Sequence, residues 1–98
     1  MKMICCGLLP ARVVTNAELA TTLDTSDEWI QKRTGIVERR YADEGVFCSD
    51  LALEASKKAL KSAGMKAEDL DFIIFATLSP DHMFPGSGCY LQPKLGLT

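Results

Sequence analysis

Asp71-Phe72-Ile73-Ile74-Phe75-Ala76-Thr77 is a nearly continuous apolar run, and it constrains the fold of this 98-residue chain more than any other segment. A run this short and uniform predicts a β-strand buried on both faces, because a half-exposed strand would alternate apolar with polar residues. Such a strand belongs in the middle of a layered structure. The segment before it supplies one layer. Ser49 to Gly64 reads as the clearest helix, with Ala52, Ala55, Ser56, Ala59, Leu60 and Ala63 at helical period, a small-residue stripe that lets a helix lie close on a sheet. Lys57, Lys58 and Lys61 fall on or beside the opposite face and read as solvated surface. Helix followed by buried strand is half of an α/β unit, so the fold class predicted is α/β. Pro85 to Leu95 then supplies another helix, with Gly96 as its stop.

The N-terminal half predicts shorter elements. Residues 2–9 read as a strand stopped by Pro10, followed by an extended Arg12-Val13-Val14. Asn16 is placed to cap a short helix through about Leu23, and a second short helix spans about Ser26 to Arg33. Ile36 to Tyr41 alternates as a partly exposed strand, Asp43-Glu44-Gly45 is a turn, and Lys66 to Asp69 makes a short turn of helix. There is no internal repeat, linker or low-complexity tract. The expectation is one incomplete domain over residues 1–98, with a further strand due after Gly96. A domain of this length buries only about 60–65% of its unfolded surface, so the segment alone is expected to fold poorly.

Charge and cysteine usage exclude several function classes. The net charge is −2, with no basic excess that would favour a nucleic-acid partner. The basic residues are local instead: Lys32, Arg33, Arg39 and Arg40, with Arg12 upstream, suit a small polyanion better than a duplex, or else form a solvated face. The first ten residues contain too short an apolar run before Pro10 for a secretion signal, and nothing approaches the ~20 apolar residues of a membrane span. A soluble, cytoplasmic protein with no membrane partner is the expectation. The four cysteines, Cys5, Cys6, Cys48 and Cys89, lack C-x-x-C spacing and read as reduced thiols, with no metal site or resident cofactor.

One local pattern points to a ligand. The run Thr25-Ser26-Asp27-Glu28-Trp29-Ile30-Gln31-Lys32-Arg33-Thr34-Gly35-Ile36 places the only tryptophan and an arginine one helical turn apart. Side chains at that spacing share a face, about 5–6 Å apart at Cβ, and an indole beside a guanidinium can flank a flat, anionic ligand such as a nucleotide-bearing cofactor. Thr25 followed by Glu28 is a capping box, and Gly35 is placed to end the helix. By spacing alone, however, W-x-x-x-R more often marks a core tryptophan beside a solvated charge.

The flanks add information that the spacing lacks. With Val13-Val14-Thr15-Asn16-Ala17-Glu18-Leu19 before it and Val37-Glu38-Arg39-Arg40 after it, the run closely resembles the N-terminal segment of β-ketoacyl-acyl-carrier-protein synthase III, the thiolase-like condensing enzyme that starts type II fatty acid synthesis. The resemblance runs from about Leu9 to Leu97 and includes Ala76-Thr77-Leu78-Ser79-Pro80-Asp81, Phe84-Pro85 and Gln92-Pro93-Lys94-Leu95-Gly96. It implies the N-terminal half of a layered αβαβα fold and a homodimeric acyltransferase. It also implies that the residues matching Trp29 and Arg33 hold the adenine end of coenzyme A, with Thr25 beside them, and that Phe84 reaches into the partner's acyl pocket at the dimer interface. Without the resemblance Phe84 is an ordinary loop-anchoring aromatic.

The family's chemistry needs a cysteine nucleophile with a histidine and an asparagine. The cysteine is acylated from acyl-CoA, and the thioester is attacked by the carbanion of decarboxylating malonyl-acyl carrier protein. The resemblance implies that all three residues lie C-terminal to the matched region, so no catalytic residue is expected here and the chain alone should be inactive. Gly86-Ser87-Gly88-Cys89 looks like a nucleophile turn, but a reactive thiol needs a depressed pKa and a base, and only His82 could supply one. Cys89 is therefore read as structural. Relatives carry a glycine-rich strand end where this chain has Ile4-Cys5-Cys6-Gly7, and cysteine at a glycine-only position would strain the backbone. Two other readings stand beside the main one: a synthase III homologue that condenses other acyl-CoA substrates, and a non-catalytic binding or assembly subunit.

Overall fold

The computed structural model describes residues 5–98. Part of the strand expected over residues 2–9 lies outside the described residues, and residues 5–9 form neither helix nor strand. No ladder partner stands beside this run among the described residues, which leaves its apolar character without a sheet to join. Cys5 and Cys6 are not at positive φ, and a Cβ built on Gly7 would meet nothing within 4 Å, so the turn imposes no glycine requirement. The chain divides into two compact units, with boundaries between Leu8 and Leu9 and at the turn that contains Glu44 and Gly45.

The unit Leu9–Glu44 is built on a two-stranded antiparallel ribbon of β1 (Arg12–Thr15) and β2 (Glu38–Tyr41), with Arg12 opposite Tyr41 and Thr15 opposite Glu38. Between the strands run α1 (Asn16–Ala20) and α2 (Asp27–Thr34). Val14 and Ile30 are its buried apolar side chains. α1 is shorter than the sequence predicts, and its cap is Thr15, whose hydroxyl accepts from the Glu18 N–H at 3.2 Å. Past Ala20 the Thr21 and Thr22 hydroxyls donate to the carbonyls of Glu18 and Leu19, at 2.7 and 3.3 Å, an alternative to helical bonding that ends the element early.

The second unit contains α3 (Cys48–Ala63), a single 3₁₀ turn (Ala67–Asp69) and α4 (Ser87–Lys94), with α3 packed on α4. α3 ends at Gly64, whose φ of +67° is the left-handed conformation that closes a helix at little cost only for glycine. The predicted small-residue face is the partly covered one, and Lys57, Lys58 and Lys61 are exposed. The Phe72–Thr77 run departs from expectation. It is neither helix nor strand and pairs with no strand among the described residues, although its exposure alternates along the chain. One face is covered, where Ile73, Phe75 and Thr77 are half-buried, and a Cβ on Gly88 at the start of α4 would lie 3.4 Å from that of Phe75. The other face is open, with Phe72 and Ile74 more than 80% exposed. A strand buried on both faces needs neighbours on both sides, and the described residues supply a helix on one side only. Among the described residues no helix is long and apolar enough to cross a membrane.

Candidate ligand-binding site

α2 carries the aromatic and the cation that the sequence pairs. Ser26 is extended, at φ −140° and ψ 158°, and its hydroxyl accepts from the Trp29 N–H at 3.1 Å. The cap is thus Ser26, not Thr25, and its third helical residue is Trp29, so the predicted capping box with Glu28 does not form. Asp27 and Glu28 occupy the first turn, and Lys32 and Arg33 the last, which suits the helix dipole at both ends. Gly35, at φ +71°, closes the helix by donating its N–H to the Gln31 carbonyl at 2.8 Å.

Buried Ile30 fixes which side of α2 faces inward and leaves Trp29 half-exposed on the other. The Arg33 guanidinium carbon lies 4.9 Å from the centre of the indole, within cation–π range. Trp29, Lys32 and Arg33 line an open depression of about 450 Å³. Lys32 is the lining residue that the aromatic-and-arginine reading left out, although its i+3 spacing from Trp29 places it on the same side. Thr25 is not brought into this depression. Its hydroxyl is buried and finds no hydrogen-bond partner among the described residues.

A polar hub anchors α2 to the ribbon. Asn16 is 1% exposed, and its amide donates to the Asp27 carboxylate and the Ile36 carbonyl, both at 2.7 Å. Arg39 donates to the Asn16 oxygen at 2.6 Å, so the side chain that sequence reasoning made a helix cap is instead a buried junction. Hydrogen bonds from Gln31 and Asn16 hold the Asp27 carboxyl below its ordinary pKa.

The larger cleft, about 760 Å³, lies elsewhere, in the second unit, along the open run; Phe72, Phe75, Met83, Pro85 and Cys89 line part of it. Its lining is mixed, with Asp71, Thr77 and Gln92 beside the apolar side chains. Cys89 places its sulfur 3.9 Å from the Pro85 carbonyl oxygen, and the His82 ring packs against Tyr90, with centroids 5.1 Å apart. Phe84 is 90% exposed and does not line this cleft, so its ring is available to something outside the unit.

Sequence reasoning also missed a buried cluster beside Phe84. Asp81 accepts from the Ser49 N–H at 2.9 Å, from the Ser49 hydroxyl, and from the Ser87 hydroxyl at 2.8 Å. Lys94 donates to the Ser49 hydroxyl at 2.7 Å and to Asp50 at 2.6 Å. Ser49 and Ser87 are essentially inaccessible to solvent. Burial pushes the Asp81 pKa up, but the serine hydrogen bonds outweigh it and hold the carboxyl below its ordinary value. The only signal was the coincidence of an aspartate with serines at two helix starts, which neither spacing nor periodicity reveals.

No family model matches the chain. Individual proteins do. The β-ketoacyl-acyl-carrier-protein synthase III of Thiobacillus denitrificans is 50% identical over 92 residues, which are 94% of this chain and 29% of that protein. The crystal structure of 3-oxoacyl-acyl-carrier-protein synthase III from Aquifex aeolicus superposes with a TM-score of 0.84 at 47% identity, over 97% of this chain and 31% of that one. The chain matches the N-terminal segment of the β-ketoacyl-acyl-carrier-protein synthase III family. The chain has a thiolase-like α/β fold, similar to a priming β-ketosynthase of a polyketide pathway at 30% identity and a TM-score of 0.84, over 95% of this chain and 28% of that one. The segment thus spans under a third of the length of these relatives.

Proposed function

We propose that this chain is the N-terminal part of a 3-oxoacyl-acyl-carrier-protein synthase III, an acyltransferase that condenses acyl-CoA with malonyl-acyl carrier protein to initiate fatty acid synthesis. The intact enzyme is a cytoplasmic homodimer whose nucleophile lies outside residues 1–98, so the chain alone is inactive. Coenzyme A thioester is substrate, with no resident cofactor. The observation that carries this reading is the Arg33 guanidinium 4.9 Å from the centre of a half-exposed Trp29 ring. In this reading the indole face takes the adenine by stacking, while Arg33 and Lys32 neutralise phosphate charge. Thr25 enters on the family resemblance alone. Phe84 limits acyl-chain length from the partner's pocket, which its exposure permits.

Coenzyme A binding to the full-length enzyme, measured by calorimetry, tests the reading. Trp29→Ala and Arg33→Ala should each weaken binding by roughly 1–2 kcal/mol. Undiminished affinity in both variants would remove the site. A second reading, a homologue that condenses other acyl-CoA substrates, is favoured by the likeness to the polyketide priming ketosynthase. A survey of acyl-CoA primers separates the two.

A further inference from the structure

We infer that Asp81 is the positioning residue for the loop that carries Phe84, and that through this loop it sets which acyl chains the enzyme accepts. The inference rests on the reading of Phe84 as the residue that shapes the acyl pocket. The geometry of the loop leads to Asp81. The Asp81 N–H donates to the Ser87 hydroxyl at 2.9 Å, and that hydroxyl donates back to the Asp81 carboxylate at 2.8 Å. Residues 81 and 87 are therefore clasped together, and the five residues between them form a closed loop with a pinned base. His82, Met83 and Phe84 enter no hydrogen bond among the described residues, and Met83 and Phe84 stand about nine-tenths exposed at its tip. Where Phe84 stands is thus decided at the base of the loop.

The base is tied to the body of the unit by the same carboxylate. Phe47 precedes α3 and has no side-chain acceptor, so it cannot satisfy the first N–H groups of that helix. Asp50 reaches back to the Phe47 N–H at 2.9 Å, and Asp81 takes the Ser49 N–H from across the unit. Asp81 thereby caps α3 while clasping the start of α4, and Lys94 from the end of α4 reaches the same serine. One carboxylate fixes the loop to two helices, and the asparagine isostere would lose part of its acceptor capacity toward three donors.

The test uses the full-length enzyme and the ratio of kcat/KM for a short and a long acyl-CoA primer. Asp81→Asn is expected to change this ratio by about tenfold, the scale of discrimination that a shifted hydrophobic wall produces. Phe84→Ala should change it as well, and the double variant should move no further than Phe84→Ala alone, since Asp81 acts through Phe84. A merely structural role would lower kcat/KM equally for all primers, and that result would overturn the inference. If Phe84→Ala leaves the ratio unchanged, the reading of Phe84 fails and takes the inference with it. If Phe84→Ala moves the ratio and Asp81→Asn does not, the inference alone fails. Should Asp81→Asn not fold, Ser87→Ala opens the same clasp while leaving Asp81 its Ser49 partners, and the same outcomes apply.

Discussion

The Asn16 amide donates to the Asp27 carboxylate at 2.7 Å, and this contact joins the start of α1 to the first turn of α2. It matters because α2 is only eight residues long and buries one side chain, that of Ile30. Helices this short hold no fixed orientation by propensity alone. The exposed Trp29 and Arg33 are presented by a helix whose placement depends on a buried amide and on the capping groups at its two ends.

Asn16→Ala should therefore cost about 2–3 kcal/mol, because it strands the Ile36 carbonyl and the Arg39 donor as well as removing the amide. Chemical denaturation checks the value. Trp29, the only tryptophan in the chain, reports the loss directly by fluorescence. A cost within a few tenths of Ala17→Gly would show that water replaces the amide.

The two ends of α2 make a separate prediction about which residue caps it. Ser26→Ala removes the acceptor of the Trp29 N–H and should cost about 1 kcal/mol. Gly35→Ala forces a side chain into φ +71° and should cost about 1 kcal/mol also. Thr25→Ala removes a buried hydroxyl that has no partner among the described residues, and should be neutral or stabilising. Melting temperatures of the three variants rank them, and a Thr25→Ala cost equal to that of Ser26→Ala would return the cap to Thr25.

The sequence made the helices legible, because periodicity and the glycines at 35, 64 and 96 are local signals and these glycines do adopt positive φ. It made Trp29 and Arg33 legible for the same reason: four residues on a helix fix a shared face. What it hid was anything decided by a partner distant in the chain. Asn16 looks like a cap from its neighbours and becomes a hub only when Asp27, Ile36 and Arg39 converge on it. Asp81 looks like a loop residue until Ser49, 32 positions away, meets it. The Phe72–Thr77 run has the composition of a central strand, but composition states a demand for neighbours and the described residues do not meet it.

Acid should weaken the protein through three aspartates. The carboxyls of Asp27, Asp50 and Asp81 are each held below the ordinary value of 3.8: by Gln31 and Asn16 for the first, by Lys94 and the Phe47 N–H for the second, and by serine hydrogen bonds that outweigh burial for the third. A lowered folded pKa means that the unfolded chain binds protons first. The stabilisation is complete above about pH 4 and is lost as pH falls through the folded values. Thermal melts from about pH 5 downward should show a falling Tm, with a shallower fall in Asp81→Asn. An unchanged slope in that variant would remove Asp81 from the set.

The open face of the Phe72–Thr77 run gives the last prediction. Phe72 and Ile74 are exposed while Ile73 and Phe75 between and after them are half-buried, in a run that pairs with no strand among the described residues. Unpaired backbone groups and a row of exposed apolar side chains form a template for another chain. Few apolar side chains are fully buried in either unit, so little packing energy opposes rearrangement there. The 98-residue polypeptide by itself should therefore associate, and Phe72→Lys with Ile74→Lys should suppress association by placing charge on that face. Size-exclusion chromatography and circular dichroism at several concentrations decide it. A monomer that melts cooperatively without these substitutions would mean that the run is satisfied without a partner strand.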